Sequence, residues 1–142
     1  MEDFVHFEIS KKLKEKGFPQ SPDYFNYSNY YDWDGLRKIH SLSNESAWYD
    51  PNISRDNIYF APTISQVLKW LRNTHKLFIS PCVITDYQDD FHRDTTYWSF
   101  IVVNIESGDS IYREYERVTE KRYESYEQAA VAGIEYVIEN LI

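Results

Sequence analysis

Residues 95–105, TTYWSFIVVNI, decide the fold class of this chain. Both alternating sets of side chains in this stretch are largely apolar, which predicts a central strand that is covered on both faces. The apolar and β-branched stretch 77–85 predicts a second strand of the same sheet. Pro81 has no amide hydrogen to donate to a neighbouring strand, so we expect that second strand at an edge of the sheet or bulged there.

Shorter patterns predict further strands. The tyrosine-rich stretch 24–31 and the stretch 36–42 flank Asp34-Gly35, a pair that favours the tight turn of an antiparallel hairpin. Residues 58–61 predict a brief strand. Residues 111–118 predict a returning strand, with a partly helical conformation as the alternative because the stretch is rich in charge.

A first amphipathic helix is predicted near the start of the sequence. Val5, Ile9 and Leu13 recur at the spacing of one helix face, and the pattern ends at Gly17. Gly17 followed by Phe18 predicts a C-terminal cap in which glycine adopts the left-handed conformation and the hydrophobic residue folds back onto the helix.

Two further helices are predicted from their start signals. Thr63 with Gln66, and Ser125 with Gln128, have the form of a capping box, in which each side chain satisfies a backbone amide at the helix start. An apolar stripe at helical spacing follows each pair. Gly133 lies beside the last stripe, and because glycine is unfavourable inside a helix, we expect it to mark close packing against the sheet.

Together these elements predict an α+β fold, with an antiparallel β-sheet and about three amphipathic helices packed on one of its faces. The length of 142 residues predicts a single globular domain over 1–142. The polar stretch 43–57 shows no sustained period and predicts a long surface loop.

Charge and cysteine content narrow the classes of function. The net charge of −8 opposes a phosphate backbone, so we expect no direct binding of nucleic acid. Cys82 is the only cysteine, which favours a reducing compartment, and we expect the chain to be cytoplasmic. We expect no membrane association, because no stretch approaches the roughly 20 apolar residues of a membrane span and the start of the sequence lacks the pattern of a signal peptide.

Three stretches carry a resemblance to a known family: residues 4–18 (FVHFEISKKLKEKGF), 61–79 (APTISQVLKWLRNTHKLFI) and 124–142 (ESYEQAAVAGIEYVIENLI). In this order they resemble a family of small uncharacterised proteins of Bacteroidetes genomes, often found near phage-like or other mobile elements. The chain departs from the family in its longer 43–57 insertion. The resemblance implies a genomic setting and no activity, cofactor or catalytic residue.

Aromatic residues make up 18% of the chain and include 13 tyrosines. A cluster of them precedes the predicted hairpin turn and suits either a hydrophobic core or a protein interface, where tyrosine and tryptophan provide much of the binding energy. The candidate interaction residues are Tyr24, Tyr27, Tyr30, Tyr31 and Trp33. Stacking of bases on the same rings is disfavoured, because single-strand binders also need a basic groove.

The stretch 86–94, DYQDDFHRD, is the densest group of metal-ligand types. Its candidate ligands for a divalent cation are Asp86, Asp90, His92 and Asp94. The spacing matches no EF-hand-type loop, and the alternative is a solvated acidic loop between two strands. We therefore expect no cofactor.

No pattern predicts catalysis. Cys82 with His40, His75 or His92 has the residue types of a nucleophile and base, but its apolar surroundings are typical of a buried structural cysteine. The four glycines lie in no phosphate-binding motif. The sequence thus favours a small non-catalytic accessory or protein-interaction protein of a phage-like or mobile element. Two alternatives stay open: an acidic nucleic-acid mimic that inhibits a host DNA-processing enzyme, and a metal-dependent hydrolase that uses the 86–94 loop.

Overall fold

The computed structural model describes residues 3–20, 29–31, 39–41, 59–86, 95–116 and 122–142. The chain divides into two compact units, Met1–Gln66 and Val67–Ile142, and the boundary falls within a helix. Each unit is described separately below, as unit 1 and unit 2. A single domain over 1–142 stays a prediction.

Unit 1 contains one helix and a small antiparallel sheet. Its elements are α1 (Phe7–Glu15), β1 (Asn29–Tyr31), β2 (Ile39–Ser41) and β3 (Tyr59–Phe60). The strand order is β2-β1-β3, and both pairings are antiparallel. The paired strands of the predicted hairpin are therefore confirmed, whereas its Asp34-Gly35 turn and the predicted 43–57 loop lie outside the described residues.

The end of α1 has the predicted glycine cap. Gly17 has a φ of +88°, a left-handed conformation that glycine adopts without steric cost. The amide of Phe18 donates to the carbonyl of Leu13 at 2.9 Å, and the amide of Gly17 donates to the carbonyl of Lys14 at 3.1 Å. This pair of bonds is a Schellman motif, and Phe18 and Leu13, the positions whose hydrophobic contact commonly accompanies it, are both buried.

Helix α2 (Ile64–Trp70) begins at the predicted capping box. The hydroxyl of Thr63 accepts from the amide of Gln66 at 3.2 Å, and the side-chain oxygen of Gln66 accepts from the amide of Thr63 at 2.9 Å. The helix continues into a five-residue π-helix, Leu71–His75, which the sequence did not predict. Lys76 ends it with a left-handed φ of +56°.

Unit 2 is built on a three-stranded antiparallel sheet of β4 (Leu77–Asp86), β5 (Thr95–Asn104) and β6 (Ser110–Arg113). The strand order β4-β5-β6 confirms that β5 is central and that the strand with Pro81 lies at an edge. Of the stretch 111–118, residues 111–113 form the end of β6 and Glu114–Glu116 form a 3₁₀ turn, so both predictions are partly right; residues 117–118 lie outside the described residues.

Helix α3 (Tyr126–Asn140) packs on β4 and β5. The hydroxyl of Ser125 accepts from the amide of Gln128 at 3.1 Å, as predicted, but the oxygen of Gln128 accepts from the amide of Glu124 at 3.0 Å. A Cβ at Gly133 would lie 2.5 Å from Cγ2 of Ile79, which confirms that this glycine permits close packing of helix and sheet.

The predicted α+β class is confirmed, with three α-helices and antiparallel strand pairing among the described residues. The strands form two three-stranded sheets, one in each unit. The strands form two separate sheets because β3 pairs with β1 rather than with β4 or β5, which follow it in the sequence.

Candidate interaction surface

A groove of about 440 Å³ opens in unit 2 at the end of the sheet where β4 ends and β5 begins. We call it the Trp98 groove. Its lining residues are Val83, Thr96, Tyr97, Trp98, Arg122, Tyr123 and Glu124. Its volume lies in the lower part of the range of roughly 300–1,000 Å³ that is typical of ligand clefts. It is therefore large enough to receive side chains of a partner.

The backbone on both sides of Trp98 holds the floor of the groove in place. Trp98 is paired with Val83 of β4. On its other side, the amide of Trp98 donates to the carbonyl of Tyr123 at 2.8 Å, and the amide of Tyr123 donates back at 3.1 Å. These two bonds form an isolated antiparallel bridge. The segment before α3 thus lies against β5 and closes one wall of the groove.

Ring contacts order the side chains of the groove. The ring of Trp98 meets that of Tyr126, the first residue of α3, edge to face at 5.8 Å between centroids. The guanidinium of Arg122 lies 4.5 Å from the centroid of the Tyr97 ring, a cation–π distance. These contacts restrict the side chains before any partner arrives, which reduces the entropy that binding would cost.

Two large apolar side chains beside the groove are exposed to solvent. Val83 is 53% exposed and Tyr126 is 43% exposed, although both lie next to the half-buried Trp98. Among the other exposed large apolar residues of unit 2, Ile105 at 46% follows the opposite end of β5, and Phe78 and Ile111 lie on β4 and β6. Apolar groups grouped around a concave site are more informative than isolated ones, because scattered exposed apolar residues are normal.

Tyr123 of the groove belongs to an aromatic cluster in which the ring of Phe100 meets the rings of Tyr112, Tyr123 and Tyr136. The rings of Tyr112 and Tyr136 stack at 3.7 Å between centroids, and the hydroxyl of Tyr112 donates a hydrogen bond to the buried Glu114. Burial, followed by the charges of Glu114 and Glu135, raises the pKa of Tyr123 to about 12. Tyr123 therefore stays neutral over the physiological pH range, and it offers the groove a phenol rather than a phenolate.

Sequence reasoning missed this groove. The alternating pattern of residues 95–105 placed Trp98 in the central strand, but the pairing of Trp98 with Tyr123 joins residues 25 positions apart. No local pattern encodes such a pairing. The available signal was the concentration of aromatic residues at 97–98 and 123–126.

Among the tyrosine-rich candidates, the structure describes the side chain of Tyr31. Tyr31 is a core residue rather than a surface residue, with 4% of its side chain exposed. Its hydroxyl donates to the carbonyl of Val5 at 2.7 Å, so the polar end of the ring is satisfied inside unit 1. Tyr24, Tyr27 and Trp33, and the side chain of Tyr30, lie outside the described residues.

The metal-site candidates lie almost wholly outside the described residues. Asp86 is the last residue of β4, and its side chain is not among those described; Asp90, His92 and Asp94 fall in the 87–94 gap. Within the described ranges, no group of three or more His, Cys, Asp or Glu side chains is arranged to hold a metal ion. A cation site in the 86–94 loop stays a prediction.

Cys82 and His75 do not have the properties of a catalytic pair. Partial burial raises the pKa of the Cys82 thiol, which keeps it in the less nucleophilic protonated form. Burial lowers the pKa of His75. The Nε2 atom of His75 is buried and has no hydrogen-bond partner, and the part of the chain that the structure describes contains no bond between this imidazole and Cys82.

The described helices are too short or too polar for a membrane span. Comparison with known proteins gives no similarity: no protein-family model matches the chain, and neither a curated protein nor a solved structure matches it significantly. The candidate site must therefore be interpreted from its own geometry.

Proposed function

We propose that this chain is a small non-catalytic protein-interaction protein that binds a protein partner through the Trp98 groove. The observation that carries the proposal is the pairing of an ordered aromatic groove with the exposed apolar side chains of Val83 and Tyr126 at its margin. A site of this composition gains free energy when a partner covers it, because exposed apolar area is removed from water at about 25 cal/mol per Å².

The residue types of the groove fit this role. Tryptophan, tyrosine and arginine are enriched among the residues that dominate binding energy at protein interfaces, and the Trp98 groove contains all three. The two backbone bonds between Trp98 and Tyr123 fix the groove floor. A partner would therefore not need to order the groove floor, and more of the contact energy would remain as affinity.

The biological setting belongs to the same proposal. The resemblance of residues 4–18, 61–79 and 124–142 to a family near phage-like and mobile elements motivates an accessory role in such an element. A partner protein is then expected either among the products of that element or in its bacterial host.

The test is affinity capture of a partner from nuclease-treated bacterial lysate with three tagged forms of the full chain. The first is the wild type, and the second is Val83→Asn, which removes an exposed apolar side chain at the groove. The third is the matched control Ile105→Asn, which removes a similarly exposed apolar side chain at the opposite end of β5. Neither substitution removes a buried side chain, so all three forms should melt within a few degrees of each other.

We expect a stoichiometric protein partner to bind the wild type and the Ile105→Asn control, and its affinity for Val83→Asn to fall by at least tenfold. A tenfold loss corresponds to about 1.4 kcal/mol, within the range for truncation of an important interface residue. An equal loss of affinity in Val83→Asn and Ile105→Asn would contradict the proposal. So would a result in which neither the wild type nor the Ile105→Asn control binds a partner.

One observation also favours the acidic-mimic alternative. Helix α3 contains Glu127, Glu135 and Glu139 but no lysine or arginine, so its charges are all of one sign. Under this alternative, the captured partner is a DNA-processing enzyme, and duplex DNA displaces the chain from it. A partner that binds DNA and this chain at the same time would exclude mimicry.

A further inference from the structure

The hydrogen-bond register of β4 shows which of its backbone groups face away from the sheet. The amide of Ile105 donates to the carbonyl of Lys76 at 2.9 Å, one position beyond the Leu77–Asn104 pair that ends the register of β4 with β5. In an antiparallel ladder, bonded and non-bonded pairs alternate. The even-numbered residues of β4 therefore bond to β5. The backbone groups of the odd-numbered residues point to the other side of β4, away from β5, which we call the open edge.

Two further observations agree with this assignment. Pro81 is odd-numbered, so the position without an amide hydrogen faces the open edge and no bond to β5 is lost. Trp98 pairs with the odd-numbered Val83, and its amide accordingly points away from β4, where it donates to Tyr123. The register thus places the amide and carbonyl of Val83, and those of Thr85, at the open edge.

This part of the edge is accessible. Leu77 and Ile79 are buried, whereas Val83 and Thr85 are exposed, and β5 is the strand paired with β4 among the described residues. Unpaired amides and carbonyls on an exposed edge strand are a template for an additional strand. Pro81 interrupts this template because it has no amide hydrogen. The template is therefore limited to the end of β4 that borders the Trp98 groove.

We propose that the partner contributes an extended, basic segment that adds as a strand to β4 at Val83 and Thr85 and places one large apolar side chain in the Trp98 groove. This inference rests on the proposed function and specifies the mode of binding. Strand addition supplies affinity through main-chain bonds and specificity through a pocket for alternate side chains.

The geometry allows both contacts at once. Neighbouring strands are about 4.8 Å apart, so an added strand would lie roughly 10 Å from β5. Side chains of paired residues lie on the same face of a sheet, and Val83 and Trp98 are such a pair. A long apolar side chain on that face of the added strand can therefore cross Val83 and reach the groove beside Trp98.

The charges around the groove favour a basic segment. Glu124 lines the groove and Glu127 follows Tyr126, and both side chains are exposed without an ion pair among the described residues. Arg122, the cation among the described lining residues of the groove, lies over the ring of Tyr97. The segment 122–127, which leads from the groove into α3, carries two carboxylates and one guanidinium and so a formal charge of −1, in a chain of net charge −8. Lysine or arginine in the segment would be attracted to this end of the sheet.

The test uses a random linear peptide library selected on the immobilised full chain. We expect the selected peptides to contain basic residues and one large apolar residue. Val83→Pro removes an outward amide without touching the ladder to β5, as Pro81 already does at an equivalent position. Val83→Ala keeps the amide and removes most of the side chain, so comparison of the two variants isolates the backbone bond.

Val83→Pro should weaken peptide binding about tenfold beyond the effect of Val83→Ala, the scale of one lost hydrogen bond in a well-formed site. Joint replacement of Glu124 and Glu127 by glutamine should reduce both the affinity and its salt dependence, whereas the control Glu106→Gln, in the turn after β5, should not. A peptide that is N-methylated at every second amide should lose binding when the methylated amides face β4. It should keep binding when the methylated amides face away from β4.

Selected peptides that bind Val83→Pro and Val83→Ala equally would overturn strand addition. Failure to select any peptide, with a captured protein that still requires Val83, would also overturn it and would leave the proposed function standing with a folded surface as the partner. A captured partner that binds Val83→Asn as tightly as the wild type would instead contradict the proposed function itself.

Discussion

Substitution of Gly133 by alanine tests how closely α3 approaches the sheet. The new Cβ would lie 2.5 Å from Cγ2 of Ile79 and 3.3 Å from Cδ2 of Phe100. Carbon atoms in favourable contact are about 3.5–4.0 Å apart, so the first distance is too short by roughly 1 Å. Cγ2 of isoleucine is bonded directly to Cβ and moves only if the rotamer or the backbone moves.

The effect of Gly133→Ala on the free energy of unfolding is the difference between a gain in helix propensity and the cost of overpacking. Alanine is favoured over glycine inside a helix by about 1 kcal/mol. Overpacking of a dense core costs about 1–3 kcal/mol, and the size of the overlap places Gly133→Ala near the upper end of that range. We therefore expect Gly133→Ala to lower the free energy of unfolding by about 2 kcal/mol and the melting temperature by roughly 8 °C.

A double-mutant cycle with Ile79→Ala separates the clash from any other effect. Ile79→Ala alone should destabilise the protein by about 2–5 kcal/mol, because it truncates a side chain that is 3% exposed. In that background the clash with Cγ2 is absent, and Gly133→Ala should be neutral or stabilising by up to about 1 kcal/mol. The assay is urea unfolding followed by circular dichroism. Equal destabilisation by Gly133→Ala in both backgrounds would refute the close-packing argument.

Three further predictions concern single residues. Ser125→Ala should lower the stability by about 1 kcal/mol in the same urea assay, because the Gln128 amide at the start of α3 loses its acceptor, whereas Ser125→Asp should preserve it. Burial lowers the pKa of His75 from 6.5, so the unfolded chain binds the proton more tightly than the folded chain. The free energy of unfolding should therefore fall as the pH drops below 6.5. In thermal melts from pH 7.5 to 5, His75→Gln should remove part of that decline. Cys82 should react with iodoacetamide at pH 7.5 more slowly in the folded chain than in urea, because burial raises the pKa of its thiol, and equal rates would contradict this.

Local signals in the sequence were sufficient for the caps of α1 and α2 and for the positions of β4 and β5 in their sheet. The Thr63 capping box and the Gly17 cap involve residues within five positions of each other, so their geometry follows from the adjacent sequence. The edge position of β4 followed from the missing amide of Pro81, and the central position of β5 followed from its two apolar faces.

Features that depend on long-range pairing were not predictable. The tyrosines of residues 24–31 suited core and surface equally, and the burial of Tyr31 depends on a hydrogen bond to Val5, 26 positions away. The Trp98 groove depends in the same way on the pairing with Tyr123. The π-helix after Trp70 had no local signature, since Leu71–His75 continues the pattern of an ordinary helix.

Hydrogen–deuterium exchange of the full chain, free and bound to its captured partner, tests most directly whether the partner binds at the Trp98 groove. We expect exchange in the bound state to slow at the end of β4, at Val83 and Thr85, and in the peptides that carry Trp98 and Tyr126, while the turn at 105–109 is unchanged. Unchanged exchange at β4 and Trp98, with protection confined to other parts of the chain, would contradict the proposed function.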